Sequence, residues 1–221
     1  MVDAPTPPEC AGRIFGARLP LAQTYAGLLA DTGVGHGLIG PREVPRLWDR
    51  HLLNCAVIED AFPHGAVVAD LGSGAGLPGI PLAIARPDLI MHLVEPMQRR
   101  TEWLRLAVAG LGLDNVTVHR GRAEELRGEL VTPYVTARAV ARLATLATWT
   151  REILEPGGLL VAMKGARAQT ELEEDRARLA RLGVTVAVVT THGDGVVEAP
   201  VRTVDLRFRP DRPPVRGRRV R

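Results

Sequence analysis

The sequence predicts a doubly wound α/β domain built on a mostly parallel seven-stranded sheet, and three observations predict it. From Ala66 onward, short apolar runs alternate with amphipathic stretches of helical period, as in strands joined by crossover helices. A glycine-rich segment, Asp70 to Gly79, stands between the first such run and the first such helix. The last run, Val201 to Phe208, alternates apolar and polar positions, which suits a partly exposed terminal strand paired antiparallel with its predecessor.

The elements follow in order. Cys10 to Gly33 contains a helix, with Leu21, Tyr25, Leu28 and Leu29 at helical spacing, and the glycines at 33, 35, 37 and 40 end it. A second helix starts at Pro41, with Val44, Leu47, Trp48, Leu52 and Cys55 as its apolar stripe; Pro41 and Pro45 suit its first turn, where a missing N–H costs little. Strands are expected at Ala66 to Leu71, Ile90 to Val94, Val116 to His119, Tyr134 to Ala137, Leu159 to Met163, Val184 to Thr190 and Val201 to Phe208. Helices are expected between them at Gly79 to Ala85, Gln98 to Leu111, Leu143 to Leu154 and Ala168 to Leu182, with a short one at Ala123 to Arg127. The organisation is thus a partly helical N-terminal extension (1–40), the α/β domain itself (41–209), and a basic, proline-containing tail (210–221) whose composition predicts disorder.

With 221 residues, 46% of them hydrophobic, one domain can build its own core without metal or disulfide staples. Cys10 and Cys55 are the only cysteines and form no ligand cluster with the histidines, so no metal site is expected and a reducing cytoplasm fits. The N-terminus lacks a secretory pattern and no apolar run reaches membrane-spanning length. A formal charge of +3 says little about a polyanionic partner. Of the 28 basic residues only Lys164 is a lysine, so arginine richness reflects a general drift toward arginine and marks no site by itself.

The sharpest local signal is Asp70-Leu71-Gly72-Ser73-Gly74-Ala75-Gly76-Leu77-Pro78-Gly79. Glycines there let the backbone turn tightly and come close to a ligand. Gly74, Gly76 and Gly79 also satisfy G-x-G-x-x-G, the dinucleotide fingerprint. Asp70 separates the readings, since a carboxylate opposes phosphates but favours the cationic amino end of S-adenosylmethionine. Glu95, closing the second strand, can accept hydrogen bonds from both ribose hydroxyls. Gly121-Arg122-Ala123-Glu124-Glu125, after the third strand, can reach an adenine edge, although an acid at a helix start is common without function.

Together these features resemble class I S-adenosylmethionine methyltransferases, a Rossmann-like fold whose sheet ends in an antiparallel hairpin. A closer resemblance is to the RsmG family, also called glucose-inhibited division protein B. It is carried by Arg50-His51-Leu52-Leu53-Asn54, Leu77-Pro78-Gly79-Ile80-Pro81 within Gly72 to Pro81, Arg122-Ala123-Glu124-Glu125, Ala137-Arg138-Ala139 and Met163-Lys164-Gly165. The resemblance implies methylation of guanine N7 in 16S ribosomal RNA, on an assembled or assembling small subunit, with S-adenosylmethionine as cofactor. It also implies cofactor contacts at Gly72, Leu77, Ala123, Glu124 and Arg138, to which the general fold adds Asp70, Gly74 and Glu95. Gly37-Leu38-Ile39-Gly40 departs from the Asn-Leu-Thr segment of many relatives.

Guanine N7 offers an in-plane lone pair and carries no proton, so methyl transfer to it needs alignment and no general base. The chain accordingly lacks the Asn-Pro-Pro-aromatic and Pro-Cys arrangements of other nucleic-acid methyltransferases. Arg138, at the carboxyl end of the fourth strand, is the expected catalytic residue, while Arg50, His51, Arg99, Arg100 and Lys164 are candidates to follow the RNA backbone. An NAD(P)-dependent oxidoreductase, an inactive RNA-binding module and a small-molecule methyltransferase remain as alternatives. A monomer acting without a membrane is expected.

Overall fold

The computed structural model describes residues 4–138 and 140–211. Ala139 of the Ala137-Arg138-Ala139 motif and residues 212–221 of the expected tail lie outside the described residues. The sheet contains β1 (Val67–Leu71), β2 (Ile90–Glu95), β3 (Val116–Arg120), β4 (Thr132–Arg138), β5 (Leu154–Lys164), β6 (Val184–His192) and β7 (Val201–Phe208), in the order β3-β2-β1-β4-β5-β7-β6. The first five strands pair parallel, and β7 inserts antiparallel between β5 and β6. The strand order reverses between β1 and β4. The connections leaving these two parallel strands run to opposite faces of the sheet, which leaves the crevice in which doubly wound sheets take their ligands.

Alternation along each strand divides the core in two. Val68, Met91 and Leu93 face a layer formed by α3 (Leu53–Ala56), α4 (Gly79–Ala85) and α5 (Gln98–Leu111). Ala69, Leu71, Val94 and Val135 face α6 (Leu143–Thr150) and α7 (Ala168–Arg181). Among the described residues no helix is long and apolar enough to cross a membrane.

The residues expected as an N-terminal extension pack onto the first of these layers. α1 (Glu9–Phe15) and α2 (Leu19–Leu28) contribute Phe15, Ala22, Tyr25 and Ala26 to the cluster that holds Ile80, Leu93 and Leu104. Buried polar tips find partners there: Trp48 Nε1 donates to the Pro5 carbonyl at 2.7 Å, Trp103 Nε1 to Thr32 Oγ1 at 2.9 Å, and the Tyr25 hydroxyl to the Ala75 carbonyl at 2.7 Å.

Two expected elements differ. The helix from Pro41 is four short pieces: a 3₁₀ stretch (Pro41–Arg46), a widened π turn (Leu47–Leu52), α3, and a second 3₁₀ stretch (Val57–Ala61). Pro45 lies inside the first piece, and its missing N–H prevents a regular α-helical ladder from passing through. The helix expected at Ala123 to Arg127 is a single turn, with Glu125 and Leu126 both donating to the Arg122 carbonyl and Gly128 reversing the chain at φ +81°. Only seven residues separate the end of β3 at Arg120 from that glycine, which is too short a stretch to propagate a helix beyond its first turn.

Tyr25→Phe tests the union of the N-terminal helices with the glycine segment. It leaves the buried Ala75 carbonyl unpaired, and the expected loss is about 1–3 kcal/mol in urea unfolding.

Candidate functional site

The glycine segment is tied down from below. Gly72 and Ser73 both donate to the Val94 carbonyl, at 2.9 and 3.1 Å, fixing the turn to the end of β2. Asp70 Oδ2 accepts from the Ser73 hydroxyl at 2.6 Å and from the Gly79 amide at 3.0 Å, so one carboxylate oxygen joins the turn to the start of α4. Gly79 is required by space, because a Cβ there would lie 2.3 Å from Leu93 Cδ2 and 2.8 Å from Asp70 Oδ2. Asp70 is completely buried, and burial pushes its carboxyl up to about 6 despite those two bonds. Its Oδ1 has no hydrogen-bond partner among the described residues.

Above the turn lies a cavity of about 980 Å³, at the upper end of what small-molecule sites occupy, roughly 300–1,000 Å³. Glu95 enters it from β2, although only 2% exposed. Its Oε2 accepts from the Gly74 amide at 3.0 Å and its Oε1 from the Met97 amide at 2.9 Å, while Arg100 Nη1 stands 3.7 Å from Oε2. Each carboxylate oxygen keeps a second acceptor site, which is what a ribose diol demands. Gly74 adopts φ +58°, and a Cβ built on it would have only the Gly72 carbonyl oxygen as a neighbour, at 3.9 Å, so the backbone there is open to close approach. These features fit an adenosine-bearing cofactor.

Across the cavity, Arg138 leaves the end of β4 and is held by the segment that bears the π turn. Nη1 donates to Cys55 Sγ at 3.1 Å; Nη2 donates to the Arg50 carbonyl at 2.9 Å and to His51 Nδ1 at 3.1 Å. His51 Nε2 meets Glu43 Oε2 at 2.8 Å, and Arg50 Nη1 meets Glu43 Oε1 at 3.1 Å. Burial, then the Arg138 charge, lower the His51 pKa, whereas the bond from His51 lowers that of Glu43. Burial pushes the Cys55 thiol up to about 11, so Arg138 has a neutral sulfur as its partner.

Of the residues expected from the sequence, Gly72, Gly74, Leu77, Glu95, Ala123, Glu124 and Arg138 line this one cavity, as do Arg50, His51 and Arg100. Three placements differ. Asp70 lies beneath the turn and outside the cavity lining, because its carboxylate points back at Ser73 and Gly79. His51 is 8% exposed with both ring nitrogens engaged, so it has no free edge for an RNA phosphate. Lys164 is directed elsewhere, its ammonium bonded to the Ala141 carbonyl at 2.8 Å and to Glu171 at 2.9 Å. Arg99 is exposed and donates to the His36 carbonyl.

Trp149 and Glu43 are among the cavity residues that carry no sequence signal for it. Trp149 lines it from α6, whose pattern reads as an ordinary core-facing helix. Glu43 is eight residues from His51, a separation of about 12 Å along a regular α-helix; the 3₁₀-to-π irregularity accompanies their contact.

The sequence model of the family described as rRNA small subunit methyltransferase G (GidB) matches residues 18–198. The chain belongs to that family. Curated members bearing the name Ribosomal RNA small subunit methyltransferase G include one from Thermobifida fusca, 56% identical over 204 residues that cover 92% of this chain and 86% of that protein. Another, from Mycolicibacterium gilvum, is 49% identical over 225 residues, covering 99% and 98%. Among solved structures, the mitomycin 7-O-methyltransferase MmcR has a TM-score of 0.59 at 18% identity, covering 91% of this chain and 69% of that chain. A Methanococcus maripaludis protein described as an S-adenosyl-L-methionine-dependent methyltransferase has a TM-score of 0.58 at 13% identity, covering 86% and 95%. The structural likenesses establish the class I methyltransferase fold; membership of the rRNA small subunit methyltransferase G family rests on sequence.

Asp70→Asn examines the loop anchor, since the amide oxygen can still accept from Ser73 and Gly79 but the group cannot ionise. An unfolded aspartate titrates near pH ~3.9. With its folded value raised to about 6, Asp70 retains its proton in the native state, and its contribution to stability declines as pH rises through that window and is flat above it. The variant should therefore gain on the parent between pH 4 and pH 7 in denaturant unfolding. A constant difference between the two proteins across that range contradicts the raised value.

Proposed function

We propose that this chain transfers a methyl group from S-adenosylmethionine to N7 of a guanine in 16S ribosomal RNA, within the small subunit or an assembly intermediate. Family membership makes it an rRNA methyltransferase of the small subunit, and S-adenosylmethionine is the methyl donor of that family. The observation that carries the site assignment is the sharing of one cavity by Glu95, the glycine turn and the anchored guanidinium of Arg138. Each of these does something different to a ligand.

Glu95 would hold the ribose hydroxyls, and the Gly72 to Gly74 backbone would lie against the nucleoside and amino-acid portions. Leu77, Ala123 and Glu124 complete the enclosure, with Glu124 placed to accept from an adenine amino group. When bound, the cofactor supplies an electrophilic methyl on a sulfonium. Since N7 has no proton to lose, the chain's task is to aim the lone pair along the sulfur–methyl axis and keep water away, which reduces the entropic part of the barrier. Arg138 spends three of its five N–H groups on Arg50, His51 and Cys55, leaving Nε–H and one Nη1–H to orient the guanine edge or the cofactor carboxylate.

Arg50, Arg99 and Arg100 stay as the RNA-facing candidates. Arg50 is paired to Glu43 at the surface, and such exposed pairs are worth only about 0–1 kcal/mol, so a phosphate can compete for the guanidinium. Arg99 and Arg100 occupy the first turn of α5, which contains no acid and where the helix dipole favours anions. A monomer working in the cytoplasm, where small subunits assemble, completes the reading.

The test uses labelled S-adenosylmethionine and small subunits lacking the modification, with the labelled base mapped by cleavage at N7-methylguanine. Label at one guanine N7 supports the proposal; label on another atom, or none, refutes it. In the same assay Arg138→Ala should lower the single-turnover rate about 100-fold, the scale of a misaligned reactant, while cofactor affinity changes less. Equal rates in variant and parent remove Arg138 from the chemistry.

A further inference from the structure

The bonds around Arg138 fix more than its own position. An arginine nitrogen only donates, so His51 Nδ1, 3.1 Å from Nη2, has to be the acceptor. The imidazole proton then resides on Nε2, which donates to Glu43 Oε2 at 2.8 Å. Both hydrogens of Nη2 are committed, one to His51 and one to the Arg50 carbonyl at 2.9 Å, and two acceptors on one nitrogen set the plane of the guanidinium. Glu43 is itself steadied by Arg50 at 3.1 Å.

We propose that Glu43 and His51 are a positioning pair: Glu43 holds His51 in its Nε2–H form, and the bare Nδ1 then holds Arg138 in the orientation it needs for methyl transfer. This rests on the assignment of Arg138 made above. Neither residue touches the reacting atoms. The device has a built-in proton dependence, because a second proton on His51 would occupy Nδ1, set donor against donor, and release Nη2. The charged and titratable groups facing the ring are Glu43 from the 3₁₀ stretch, Arg50 from its own turn and Arg138 from β4, with the Cys55 thiol on the far side of the guanidinium. The lowered pKa of His51 keeps it neutral at and above pH 7.

Long-range ¹H–¹⁵N spectra of the histidine-labelled full chain read the tautomer directly. The parent should show His51 protonated at Nε2 and bare at Nδ1, and Glu43→Gln should let the second tautomer appear. In single-turnover methyl transfer, His51→Phe should fall at least tenfold toward Arg138→Ala. His51→Asn, whose side-chain oxygen can stand in for Nδ1, should recover most of that loss. Between pH 5.5 and 8.5 the parent should lose rate on the acid side, and His51→Asn should lose that dependence except for the part belonging to Asp70. A proton on Nδ1 in the parent spectrum overturns the pair, with no variant required to fold. So does full activity in both His51 variants while Arg138→Ala is impaired. Parental activity in Arg138→Ala would instead overturn the assignment on which the pair rests.

Discussion

One buried oxygen atom, Asp70 Oδ2, organises the ligand-facing part of this protein. It stands at the end of the central strand β1 and receives two hydrogen bonds, from the Ser73 hydroxyl and the Gly79 amide. The intervening residues must close a loop between those two donors, and that takes backbone that turns sharply. The glycines follow from that demand, as does the approach of Gly74 to Glu95, whose carboxylate takes the Gly74 amide at 3.0 Å. Strand order supplies the rest, since the reversal between β1 and β4 sets this loop opposite Arg138.

The two walls of the cavity are built on different principles. The glycine wall is backbone held by buried carboxylates, and its shape is insensitive to the rotamers of long side chains. The opposite wall is a guanidinium held by other side chains and carbonyls on an irregular helical segment, and its geometry depends on which proton sits where. Turns of π type recur where a side chain must be aimed away from the regular helical direction. Here the π turn carries Arg50 and His51 toward the end of β4. The stable wall suits the recognition of an invariant cofactor, and the adjustable one suits alignment.

Much of this was legible in the sequence, for identifiable reasons. Seven strands with crossover helices leave a strong periodic trace, and the Asp70 to Gly79 segment is local, so its turn could be read from consecutive residues. Glu95 and Arg138 can be picked out as cavity residues because strand ends at a switch point are privileged positions whatever the side chain. What failed to show were contacts between segments distant in sequence. Asp70 was expected to face the ligand, but which way a strand-end carboxylate points depends on Gly79, nine residues on. In one dimension His51 and Lys164 look like RNA contacts, as any cation near a site does; Glu43 and Glu171, which engage them, become neighbours only through the fold. The composition of Ala123 to Arg127 permits a helix, and its length does not, so a single turn stands there.

The sequence separations of the N-terminal bonds have a bearing on how the chain acquires its structure during synthesis. Tyr25 waits for Ala75, fifty residues later, and Thr32 for Trp103, seventy-one residues later. α1 and α2 therefore leave the ribosome with apolar faces whose partners do not yet exist, and these stay uncovered until β1 and α5 have emerged. Such non-local pairing slows folding. An enzyme that modifies ribosomal RNA thus makes its own demand on the ribosome that builds it: the chain as far as Trp103 must be out before the turn that bears Thr32 can settle.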